Sequence, residues 1–316
     1  MDRKKFTKYF IRTFILLALV ANCVAALHAY KFTHYDPSVS VKTKNPDKIG
    51  FTEKLKVLAF GVNNPRPVNK TAPQRSFETI SLQSNKRLEA WLIKTIPSKG
   101  TVIIFHGYSG QKASMLDKAE AFLSLGYSTL LVDFMGSGGS EGNQTTIGFY
   151  EAQEVKSAFD YMKNTGEKNI ILFGTSMGAA AIMKAQKDYA MPASALILEC
   201  PFGTMLETVQ ARFKAMKVPA FPMAQLLVLW GGLENKFNAF SHNPAEYAAY
   251  IHCPVLLLYG EKDIDVSLKE TNEIFENLKG KRELQTFPLS GHENYLTRYK
   301  EKWTENVLEF LRRYVP

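Results

Sequence analysis

Residues 169–181 read Asn-Ile-Ile-Leu-Phe-Gly-Thr-Ser-Met-Gly-Ala-Ala-Ala. The short apolar run ending at Phe173 predicts a strand buried on both faces, and the alanine-rich stretch after Gly178 predicts a helix. Between them, glycines two places either side of Ser176 let strand and helix approach closely around a sharply bent serine. A tight turn whose serine merely caps the helix would show the same spacing, so the reading depends on partners elsewhere in the chain.

Working outward, four similar runs appear at Thr101–Phe105, Ser128–Val132, Ala195–Leu198 and Val255–Tyr259, and a last strand fits Glu283–Phe287. Helical patterns occupy Ala113–Leu125, Phe149–Lys163, Met177–Tyr189, Ser267–Leu278 and Lys302–Tyr314. Ahead of them, Phe77–Ser84 and Leu88–Ile96 alternate and flank Asn85-Lys86-Arg87, predicting an antiparallel pair. This strand–helix alternation predicts an α/β fold with a mostly parallel, doubly wound sheet. One interval breaks the rhythm: the 45 residues 203–247, between the sixth and seventh strands, predict a helical cap at the carboxyl edge.

A serine nucleophile needs a base of near-neutral pKa, and the chain has six histidines. Position selects His292, in the loop between the last strand and last helix, on the same sheet edge as Ser176. His106 follows the first parallel strand and reads as a brace for its loop. The imidazole needs an orienting carboxylate, and Asp263 leaves the strand Val255–Tyr259 at that edge; Asp265 and Glu199 are the alternatives. Oxyanion donors are expected from the backbone N–H groups of Met177 and Tyr108. The glycine cluster within residues 133–142 misses the dinucleotide spacing because Glu141 stands where glycine is required, and it reads as a flexible turn.

Together these residues resemble the esterase, lysophospholipase and serine-aminopeptidase-like branch of the α/β-hydrolase superfamily, over about residues 77–316. The matching pieces are Phe105-His106-Gly107-Tyr108, Asp133 with its glycines, Gly174–Gly178, Glu199-Cys200-Pro201-Phe202, Gly260-Glu261-Lys262-Asp263 and Gly291-His292. The resemblance implies the α/β-hydrolase fold, Ser176 as nucleophile, His292 as base, Asp263 as acid, and an ester or related acyl bond as target. Met135 departs from the arginine such proteins carry two places after the equivalent of Asp133, which removes a local salt bridge and no catalytic role.

The composition agrees with this assignment of roles. With 46% apolar and 22% charged residues among 316, the chain is neither disordered nor low-complexity. Its formal charge of +9 invites an anionic partner, but Arg3, Lys4, Lys5, Lys8, Arg12 and Lys31 face only Asp2 in residues 1–31, so over half the excess lies there. The body lacks the basic cluster with interleaved aromatics that nucleic-acid binding needs. Thr13–Tyr30 is free of charged residues for eighteen positions, and at 1.5 Å per residue it spans about 27 Å, the reach of a thin hydrocarbon layer. Two readings follow: a membrane anchor with the body outside the cytoplasm, or a signal peptide cleaved near Val24-Ala25-Ala26 to leave a secreted or periplasmic protein. Lipidation at Cys23 is disfavoured by Asn22, and Cys200 and Cys253 fall at opposite sheet ends, beyond disulfide reach.

The expected organisation is therefore a leader (1–31), an extension (32–75) and an α/β-hydrolase domain (76–316) carrying the cap. The expected activity is serine hydrolysis of carboxyl esters through an acyl-enzyme, with no metal or organic cofactor. The small-molecule substrate is lipid-like or of medium chain length if the cap's many aromatic and aliphatic residues line an acyl pocket rather than only packing on the body. The alternatives are a serine peptidase on short peptides and a hydrolase-fold binding protein without catalysis.

Overall fold

The structure, a computed structural model, describes residues 3–44 and 49–315; the first two residues of the predicted leader, residues 45–48 of the predicted extension and the last residue lie outside it. The elements run α1 (Arg3–Thr33), α2 (Phe51–Phe60), β1 (Glu78–Gln83), β2 (Arg87–Ile93), β3 (Thr101–Phe105), α3 (Leu116–Ser124), β4 (Ser128–Val132), α4 (Glu151–Asn164), β5 (Ile170–Thr175) and α5 (Met177–Tyr189). They continue β6 (Ala195–Glu199), α6 (Met205–Met216), α7 (Met223–Glu234), α8 (Pro244–Tyr247), β7 (Val255–Gly260), α9 (Leu268–Asn277), β8 (Arg282–Phe287), α10 (Tyr295–Arg298) and α11 (Lys300–Tyr314).

The eight strands form one sheet in the order β1-β2-β4-β3-β5-β6-β7-β8. β1 and β2, and β2 and β4, pair antiparallel; every later pair is parallel. The expected doubly wound sheet is the one observed, and its cap, α6 to α8, sits between β6 and β7. β3, β4, β6 and β7 are buried at every residue, which is why their sequences run apolar without alternating. β1, at the edge, is exposed at most positions.

Each face of the sheet carries its own core. On one, α4 and α5 bring Val155, Phe159, Ile182 and Met183 against the strands. On the other, α3 supplies Phe122 and α11 supplies Trp303, Val307, Phe310 and Leu311. The spacing of those four α11 residues, i, i+4, i+7 and i+8, is the stripe that a core-facing helix needs. Each such buried side chain contributes about 1.5–3 kcal/mol.

Two polar features differ from what the sequence alone suggests. Asp133 is fully buried, and its salt-bridge partner is Lys112, whose ammonium also meets Glu89 at 2.7 Å. Lys112 thus supplies the cation that Met135 cannot. The glycine cluster expected as a flexible turn is instead tied down: Gly136 N–H bonds Glu141 O, Gly138 N–H bonds Pro67 O, and Arg66 reaches the carbonyls of Ser140 and Gly142. At φ +77° and +49°, Gly136 and Gly138 hold a conformation that other residues rarely adopt.

α1 is the one helix among the described residues long and apolar enough to cross a membrane. Residues 3–20 are exposed throughout, whereas Ala25, Ala29 and Thr33 are buried. The burying partner is the cap: α1 lies along α7, and Trp230 Nε1 donates to Asn22 Oδ1 at 3.1 Å. The Lys31 ammonium also binds the carbonyl of Phe60 at the end of α2, at 2.7 Å.

Candidate active site

Ser176 sits between β5 and α5 with φ 52° and ψ −112°, a twisted conformation costing about 1–3 kcal/mol. The glycines around it make this turn possible. A Cβ on Gly178 would lie 2.5 Å from Phe105 O, and one on Gly174 2.6 Å from Ala179 N. Backbone bonding fixes the bend, since Ser176 N–H donates to Glu199 O at 2.8 Å.

The structure brings Ser176, His292 and Asp263 into one chain of hydrogen bonds. Ser176 Oγ lies 2.9 Å from His292 Nε2, and His292 Nδ1 lies 2.7 Å from Asp263 Oδ2. With a neutral ring, Ser176 O–H donates to Nε2 and Nδ1–H donates to Asp263. The other carboxylate oxygen of Asp263 accepts the N–H groups of Asp265 and Val266 at 2.8 and 2.9 Å, which fixes its plane. Burial opposes protonation of His292, but the Cys200 sulfur and the Asp263 carboxylate favour it, and the net effect holds its pKa well above the ordinary imidazole value.

Neither alternative acid takes the place of Asp263 on His292. Glu199 is buried and takes Lys118 Nζ and Trp303 Nε1, both at 2.6 Å, and Thr175 Oγ1 at 3.1 Å. Asp265 offers its backbone N–H to Asp263. His106 is buried and braces its loop: Nδ1–H donates to Gly107 O at 2.8 Å, and Nε2 accepts from Phe134 N–H at 3.1 Å. Burial lowers its pKa, so the ring is neutral in that role. The same cause pushes His242 down to about 4.

The amide N–H groups of Met177 and Tyr108 have no hydrogen-bond acceptor among the described residues. Both residues line a cavity of about 440 Å³, as do Ser176 and His292. That size falls in the ~300–1,000 Å³ range of small-molecule sites. Its walls are largely apolar and come from five places: the body, α2 (Val57, Leu58), the rest of the extension (Lys42, Lys44, Asn63, Asn64), the cap (Phe213, Met216, Leu227, Val228) and the last turns of α1 (Val24, His28, Ala29, Phe32).

Sequence reading missed the α1 wall and one nearer neighbour. Cys200, buried just after β6, has its sulfur within 4.8 Å of the ligand atoms of Asp263 and His292. Its place at the carboxyl edge, directly after Glu199, was the available signal. The last turns of α1 gave none, because their neighbours on α7 lie about two hundred residues away in sequence.

Comparison with known proteins agrees with this architecture. The profile of the family described as serine aminopeptidase, S33, matches residues 96–252. The protein YqkD of Bacillus subtilis is 27% identical over 215 residues, covering 67% of this chain and 70% of its own. Lysophosphatidylserine lipase ABHD12 of Danio rerio is 27% identical over 243 residues, covering 70% of this chain and 61% of its own. Among solved structures, an esterase from Pyrococcus furiosus superposes with a TM-score of 0.68 at 24% identity, over 80% of this chain and 98% of that one, a likeness of fold. The strand order, the cap between β6 and β7, and these relatives together make the chain a member of the α/β-hydrolase superfamily.

Proposed function

We propose that the protein is a membrane-anchored serine hydrolase that cleaves carboxyl esters of lipid-like acyl chains. The observation that carries the reading is the Ser176–His292–Asp263 relay opening on an apolar cavity walled partly by the membrane-type helix α1. Ser176 Oγ attacks the ester carbonyl carbon while His292 Nε2 takes its proton. The carbonyl oxygen becomes an oxyanion held by the N–H groups of Met177 and Tyr108, each such donor being worth ~2.7–4 kcal/mol. The C–O bond to the alcohol then breaks, and the alcohol leaves with the proton from His292. Water, deprotonated by His292, attacks the acyl-Ser176 ester, releasing the fatty acid and restoring the serine. Asp263 keeps the imidazole oriented and stabilises its charged form.

The lipase name of the Danio rerio relative supports a lipid ester. A peptidase that anchors a terminal amine would need carboxylates in the cavity, and its charged lining is mainly basic: Lys42, Lys44 and Arg212 against Asp265. The basic residues before the span of α1 favour a cytoplasmic N-terminus and an outward-facing body. Cleavage near Ala26 would delete Val24 from the cavity wall and the Asn22–Trp230 bond, which supports the anchor over the cleaved signal peptide.

The test is labelling with a fluorophosphonate probe, followed by turnover of p-nitrophenyl esters of increasing chain length. Ser176→Ala is expected to abolish labelling and to reduce turnover by roughly 10⁶-fold. Labelling that persists in Ser176→Ala would refute the assignment of the nucleophile.

A further inference from the structure

Two of the cations lining the cavity converge, from separate parts of the chain, on the loop that carries the Tyr108 amide. Phe32, near the end of α1, stacks on the Tyr108 ring with centroids 4.4 Å apart, and the Tyr108 hydroxyl donates to Phe32 O at 2.7 Å. Over this platform lie Arg212 of α6, its Cζ 4.5 Å from the Phe32 centroid and 5.8 Å from that of Tyr108, and Lys42, its Nζ 5.5 Å from Tyr108. Lys42 stands exposed at the cavity mouth and Arg212 is half-buried.

Among the described residues neither cation has a carboxylate partner. Desolvation by the surrounding protein, and after it the nearby Arg212 guanidinium, lower the Lys42 pKa. Cation–π contact offsets only part of the cost of holding two such charges beside an apolar cavity. An anion would complete the arrangement, because a guanidinium fork and an ammonium match the oxygens of a phosphate or carboxylate.

The geometry points to Lys42 and Arg212 as an anion subsite, so that the substrate is an acyl ester carrying a phosphodiester or carboxylate beside the scissile bond. This inference rests on the hydrolase reading and adds the charge of the substrate to it. The aromatic platform couples the subsite to the Tyr108 amide, so seating the anion also seats the ester near the proposed oxyanion donors.

The experiment uses the full chain in neutral detergent and four dodecanoyl esters: of glycerol, of glycerophosphoglycerol, of glyceric acid and of choline. The wild-type kcat/KM for one of the two anionic esters is expected to exceed that for the glycerol ester by about tenfold or more, with the choline ester poorest. Whichever anionic ester leads identifies the group. This preference shrinks as salt rises. In Lys42→Gln/Arg212→Gln the ratio of anionic to glycerol ester falls to about one, and Arg212→Glu shifts preference toward the choline ester. A wild-type ratio near one, or a ratio the double variant leaves intact, overturns the subsite. Should no ester be turned over, the hydrolase reading fails separately. Binding of dodecyl-ether glycerophosphoglycerol against dodecylglycerol ether, by calorimetry, then judges the subsite by the same ratio and the same double variant.

Discussion

At the scale of single residues, the proposed chemistry turns on the environment of His292. A general base must be neutral to accept a proton, so a pKa held well above the ordinary value moves the acid limb of the rate profile to higher pH. Activity is therefore expected to rise through a midpoint above about 6.5. Asp263→Asn removes the carboxylate that favours the imidazolium; the midpoint should fall while kcat drops by roughly 10⁴-fold. A profile of kcat/KM against pH for both proteins checks the two effects, and an unmoved midpoint would remove Asp263 from the role. This choice of acid was only partly legible in the sequence. Three carboxylates leave the sheet at one edge, and nothing local ranks them. Glu199 is taken by Lys118 and Trp303, 81 and 104 residues distant, and no spacing rule reports contacts so remote. The serine and histidine were legible because their signals are local: a glycine-flanked turn after a buried strand, and a loop at the same edge.

At the scale of elements, the sheet was readable because strands buried on both faces must be continuously apolar, and each helix between them shows its own stripe. α1 was harder. Its composition announces a membrane helix, but its pairing with α7 is a tertiary fact with no trace in either sequence alone. The helix has two parts: residues 3–20 are exposed, and the turns from Ala21 onward pack on the cap and form cavity wall. The two parts separate cleanly in a truncation series. A chain beginning at Ala21 should keep turnover of p-nitrophenyl butyrate within about twofold and lose partition into membranes. A chain beginning at Thr33, which lacks the Phe32 platform under Tyr108, should lose turnover as well. Equal activity of the two chains would show the α1 wall to be dispensable. Neither truncation touches the sheet.

At the scale of the whole molecule, the pairing fixes how deep the protein rides. If the uncharged stretch Thr13–Tyr30 occupies the hydrocarbon layer, the half that packs on α7 lies at bilayer depth and carries the cap with it. The outer surface of the cap suits that position: Phe221, Leu229, Leu233 and Phe240 are exposed on it. Of the three tryptophans, Trp91 and Trp303 are buried in the body, and Trp230 stands on α7 against α1. In vesicles containing brominated lipid, the emission of Trp230 should be quenched, and Trp230→Phe should abolish the quenched component. Quenching that survives the substitution would place a different face at the bilayer.

Under the proposed function, an active-site cavity whose wall is the anchor itself also changes what concentration means for this protein. A substrate dissolved in the bilayer meets the cavity by diffusing in two dimensions, without first crossing water. The quantity that sets the rate is then the mole fraction of the ester in the surface. Diluting the bilayer with inert lipid slows turnover, while diluting the vesicles with buffer leaves it unchanged.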